Sequence, residues 1–94
     1  MSSSSYKEFV EKHLSDCERY NIAVEDAAFT IMHKAEDFED EEVVDVFSAL
    51  PSEIRTNIQS NISDFEKTGE YHVISSTGTS LNLTLLMERL SKLI

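Results

Sequence analysis

Tryptophan is absent from this 94-residue sequence, cysteine and proline occur once each, and glycine occurs twice. A lone cysteine, Cys17, leaves no internal disulfide, so nothing covalent braces the chain. Long apolar runs are missing as well. None exceeds three residues, as at Leu85, Leu86 and Met87, whereas a membrane-spanning helix needs about 20. Membrane integration is therefore not expected. The Met-Ser-Ser-Ser-Ser start carries neither the basic region nor the apolar stretch of a secretory signal, so the expected location is cytoplasmic. Basic side chains are also scarce: eight against eighteen acidic ones give a formal charge of −10. Such a field repels nucleic-acid phosphates and attracts basic partners, which argues against direct DNA or RNA binding.

Hydrophobic side chains make up 40% of the sequence, which at this length suffices for one modest core and hence a single domain over residues 1–94. Their spacing is mostly helical. Residues 1–4 read as a disordered lead-in. Ser5 and Glu8 then have the Ser-x-x-Glu form of a capping box. Behind it Tyr6, Phe9, Val10, Leu14, Cys17 and Tyr20 form one stripe, with a stop expected near Asn21. A second helix is expected from about Ile22 to Glu36, with Val24, Ala27, Ala28, Ile31 and Ala35 inward. A third runs from about Asp40 to Leu50 on Val43, Val44, Phe47 and Leu50. Pro51 marks the next boundary, after which Ile54, Ile58, Ile62 and Phe65 keep helical spacing up to Gly69.

The last quarter supports two readings. Tyr71, Val73 and Ser75 alternate with His72 and Ile74, and Leu81, Leu83 and Leu85 with Ser80, Asn82 and Thr84. A hairpin turning at Thr77, Gly78 and Thr79 would set Val73 opposite Leu83 and Tyr71 opposite Leu85. Alternatively Thr79 or Ser80 caps a helix to Ile94, with Leu81, Leu85, Leu86, Leu90, Leu93 and Ile94 as a broad apolar surface. The helix is the preferred reading. The expected fold is thus mainly α, a compact bundle of four or five helices, with a short C-terminal β-hairpin over residues 70–85 as the variant. An unpaired strand or a very apolar last helix needs cover. Self-association through Tyr71, Val73, Leu86 and Leu90 and cover by the preceding helices both answer that need, and both stay open.

No catalytic or metal-binding pattern is complete, so no cofactor, metal or enzymatic activity is expected. The densest acidic stretch is Glu36, Asp37, Glu39, Asp40, Glu41, Glu42 and Asp45. As an EF-hand starting at Asp37 it would need glycine at position six and a carboxylate at position twelve, where Glu42 and Ser48 stand. His13 and Cys17 lie one helical turn apart, half of a zinc site or of a thiolate–imidazole pair, and only His33, His72 or carboxylates remain to complete it. His33, Glu36 and Asp37 form a similar partial cluster without a complete motif, and the preferred reading is a histidine whose charged form is favoured by the nearby carboxylates. Ser75 to Ser80 includes one glycine and resembles an anion cradle, but lacks the P-loop lysine, and turn chemistry explains it as well.

What remains is charge. From Glu25 to Glu53 ten acids face only Lys34, a local charge of −9. The expected function is a non-enzymatic module that binds a basic protein, as an inhibitor of the immunity, antitoxin or polyanion-mimic type would. A self-associating structural or regulatory protein, in the form of a homodimer, is the alternative.

Overall fold

A computed structural model describes residues 5–74 and 77–94. The lead-in at residues 1–4 and Ser75 and Ser76 of the Ser/Thr-rich segment lie outside the described residues. The fold is mainly α: among the described residues there are five α-helices, α1 (Tyr6–Tyr20), α2 (Val24–Lys34), α3 (Asp40–Ser48), α4 (Ser52–Thr68) and α5 (Thr84–Leu93), with a hairpin of β1 (His72–Ile74) and β2 (Ser80–Asn82) before the last helix. Two compact units divide the chain within α4, one up to Ile58 and one from Gln59.

In the first unit the local signals work as their chemistry dictates. Ser5 Oγ accepts from Glu8 N–H and Glu8 Oε1 accepts from Ser5 N–H, both at 3.1 Å, closing the capping box of α1. Asn21 ends the helix in the left-handed region at φ 55°, and Ile22 N–H reaches back to the Cys17 carbonyl at 3.0 Å. α1 packs on α2 and on α3. Tyr6 anchors that packing. It is wholly buried, stacks on Phe38 with ring centroids 5.1 Å apart, and donates its hydroxyl hydrogen to the Ile31 carbonyl at 2.5 Å. That oxygen is one of the last four carbonyls of α2, the set that a helix cannot satisfy from within.

α2 is shorter than its spacing suggests, because residues Ala35–Asp37 tighten into a 3-10 turn. Ala27, Ala28, Ile31 and Ala35 are buried as expected, together with Met32. In α3 the buried positions are Val43, Val46 and Phe47, continued by Leu50, spaced three, one and three apart. Val44 was expected inside but is exposed, since the stripe runs through Val43, Val46, Phe47 and Leu50 and leaves Val44 at its outer edge. Ile54 and Ile58 of α4 are buried.

The second unit combines the two readings of the last quarter. Ile62 and Phe65 complete the buried stripe of α4, and Gly69 ends it at φ 78°, donating to the Phe65 carbonyl. The strands pair antiparallel with Val73 opposite Leu81, His72 opposite Asn82 and Ile74 opposite Ser80. The expected register is therefore wrong by two residues. Leu83 donates its N–H to the Tyr71 carbonyl at 2.8 Å, and Tyr71 N–H donates to Thr84 Oγ1 at 3.2 Å, so the ladder ends where the helix begins. A slip of two keeps each side chain on its face, which is why the alternation alone did not fix it. The expected caps, Thr79 and Ser80, are also displaced. Asn82 Oδ1 accepts from Thr84 N–H at 3.0 Å, and α5 opens three or four residues later than expected. Leu83, Leu86, Met87 and Leu90 are buried, while Leu85 is 80% exposed. Starting the helix at Thr84 takes Leu81 into the strand and turns Leu85 outward.

Candidate acidic face and groove

The seven acids of the dense stretch separate into three groups. Glu36 and Asp37 sit in the 3-10 turn and are engaged locally: His33 Nε2 lies 3.0 Å from Glu36 Oε1, and Lys34 Nζ lies 3.2 Å from Asp37 Oδ2. Glu39, Asp40 and Glu41 gather at the start of α3 and are exposed. The helix dipole explains part of this grouping, because carboxylates in a first turn stabilise a helix by about 0.3–1 kcal/mol each. Glu42 and Asp45 lie on the side of α3 that faces α1. Glu42 Oε2 accepts from Tyr6 N–H at 3.4 Å, satisfying one of the N–H groups that the start of α1 leaves free.

Between α1 and α3 lies an open groove of about 340 Å³. Its floor is apolar: Val10, Leu14, Val46, Ala49 and Leu50. Its rim is charged, with Lys7 and Glu11 on one wall and Glu42 and Asp45 on the other. Among the described residues none of these four rim charges takes part in an ion pair. Asp45 was singled out from the sequence for its place in an acidic run. Glu11, Lys7, Leu14 and Ala49 were not, because nothing local shows that α1 lies against α3. The one available signal was the spacing of Lys7, Glu11 and Leu14, which puts them along one edge of a helix.

A second concavity, on α1 and α2, is lined by Phe9, Phe29, Thr30 and His33 together with Lys34, Glu36 and Asp37. Its charges are already matched. Besides the two pairs above, Lys34 Nζ stands 5.2 Å from the centre of the Phe9 ring, and His33 lies 5.6 Å from Phe29.

His13, Cys17 and His33 are not assembled into a centre. Among the described residues no three His, Cys, Asp or Glu side chains gather as a metal ion requires. His13 stacks on Phe9 with rings 6.2 Å apart and nearly parallel, and its Nε2 is buried without a hydrogen-bond partner among the described residues. Burial, and then the adjacent Asp16 carboxylate, push the Cys17 thiol above its usual value, the direction opposite to an activated nucleophile. The Ser/Thr-rich segment leads into β2 rather than directly into a helix, so its described part, Thr77 to Ser80, has no helix N-terminus behind it to complete the cradle.

Of the residues expected to mediate self-association, Leu86 and Leu90 are buried within the chain at 4% and 0% exposure, and Tyr71 and Val73 are half-buried. Burial, then the Asp64 carboxylate, raise the Tyr71 phenol above its usual value. The apolar side chains that do reach the surface in this unit are Ile74, Leu85 and Ile94. No helix among the described residues is long and apolar enough to cross a membrane. No protein-family model matches the chain, and no curated protein or solved structure is detectably similar to it.

Proposed function

We propose that the protein is a non-enzymatic, cytoplasmic binding module whose acidic α3 face docks on a basic surface of another protein, as an inhibitor of a nucleic-acid-binding protein would. The observation that carries this reading is that Glu39 at the N-cap of α3 and Glu41, Glu42 and Asp45 along it are exposed and paired with no cation among the described residues. Like charges held together on a surface raise its potential. A complementary basic partner relieves that repulsion and is steered toward it. The test is reversal of Glu39, Glu41 and Asp45 to lysine, leaving Glu42 and its bond to Tyr6 in place. The variant keeps its helical circular dichroism and loses a stoichiometric basic partner that the parent chain retains. Equal retention by both chains refutes the proposal.

A homodimer is the second reading, favoured by the outward Ile74 and Leu85, 74% and 80% exposed. Isolated apolar residues are ordinary on protein surfaces, which ranks this reading below the first. Sedimentation equilibrium decides it: a dimer that Leu85→Glu dissociates supports it, and a monomer at all concentrations removes it.

A further inference from the structure

We infer that the groove between α1 and α3 binds a peptide segment of the partner in which apolar anchor side chains are flanked by lysine or arginine. The inference rests on the acidic-face reading and adds to it which part of the face confers specificity. The charges of two concavities lined by described residues of the first unit distinguish them. The one at Phe9 and Phe29 has its carboxylates already answered by His33 and Lys34. In the α1–α3 groove the rim charges Glu11, Glu42 and Asp45, opposed only by Lys7, have no partner charge among the described residues, and they surround a floor of Val10, Leu14, Val46, Ala49 and Leu50. The apolar floor excludes a purely ionic ligand from its best contacts. The acidic rim makes an acidic or neutral ligand a poor match. A cavity of 340 Å³ stands at the lower end of the range for ligand sites and takes a few side chains rather than a whole domain. An apolar anchor entering it while flanking cations meet Glu11 on one wall and Glu42 and Asp45 on the other satisfies both features, and an acid on the segment opposite Lys7 would fix its direction.

Two synthetic peptides of equal charge serve as probes, one of leucine and lysine arranged as an amphipathic helix, the other with serine for each leucine. Binding is read by fluorescence anisotropy at low and moderate salt, against the parent chain and Ala49→Arg. Ala49 is exposed and follows the last residue of α3, so a large cation there blocks the groove while replacing no buried side chain. The expected result is at least tenfold tighter binding of the leucine peptide to the parent chain, a similar loss in Ala49→Arg, and weakening by salt. Equal binding of both peptides, unaffected by Ala49→Arg, overturns the groove while leaving the acidic face intact. Leucine-peptide binding that ignores salt overturns the charge-based reading and the flanking cations with it. Binding of neither peptide, a small apolar ammonium ion binding as tightly as the leucine peptide, or a dimer of this chain that Ala49→Arg dissociates overturns the peptide as occupant.

Discussion

Two side chains show how little of a residue's role its type reveals. Tyr6 and Tyr20 both occupy the apolar stripe of α1, yet Tyr6 is wholly buried and Tyr20 is 67% exposed, its ring 6.0 Å from the Arg19 guanidinium. Removing the Tyr6 hydroxyl strands the Ile31 carbonyl in the interior, at a cost of about 1–3 kcal/mol. Tyr6→Phe therefore lowers the urea midpoint clearly, whereas Tyr20→Phe changes stability by less than about 0.5 kcal/mol. Cys17 lends itself to chemical measurement. Because its thiol is raised by burial and by Asp16, the folded chain holds the proton at pH values where an unfolded thiol begins to release it. The pH midpoint of iodoacetamide alkylation accordingly lies higher in the native chain than in the urea-denatured one. The sign for stability follows: ionisation favours the unfolded chain, so this group destabilises the fold only as pH rises past the unfolded thiol value. A native midpoint below the denatured one would restore Cys17 as a candidate nucleophile.

At the scale of elements, helices were legible and their meeting places were not. The Ser5–Glu8 capping box, a proline boundary and the Ile54, Ile58, Ile62, Phe65 period are local, and each is realised. Val44 was misplaced because two adjacent valines look alike to a composition argument, while the inner stripe of α3 continues from Val43 through Val46 and Phe47 and passes Val44 by. The C-terminal quarter offered strand and helix in overlapping windows. The chain uses both in succession, with Asn82 and Thr84 making the junction by side-chain hydrogen bonds that no apolar pattern records. The start of α5 sets which leucines are inside, and a pair of substitutions tests it. Leu90→Ala should cost about 2–5 kcal/mol and Leu85→Ala less than about 0.5 kcal/mol in chemical denaturation. Similar costs at both positions would place the helix in a different rotation.

For the whole molecule, charge is the property most plainly written in the sequence, and also the one that local structure redistributes. Of the seven acids in the dense stretch, Glu36 and Asp37 are held by His33 and Lys34, and Glu42 supports the start of α1. The groove borrows Glu11 from a different helix, which is why sequence reading found the acidic face but not its apolar floor. A net charge of −10 makes the folded chain repel itself. Raising sodium chloride from about 20 to about 200 mM shortens the screening length to below about 10 Å and should raise the melting temperature. A fall would show that surface ion pairs such as Lys12 with Asp16 and Lys34 with Asp37 outweigh the repulsion.

The account turns on the acidic α3 face being a docking surface rather than merely a solvated one. The most direct test is capture of partners by the tagged chain from extract of its native cells at low and moderate salt, with stoichiometry read by mass spectrometry. The account predicts one basic protein in near-equal amount at low salt, lost as salt rises and absent when Glu39, Glu41 and Asp45 are reversed. Recovery of the chain alone, in more than one copy and indifferent to salt, would contradict it.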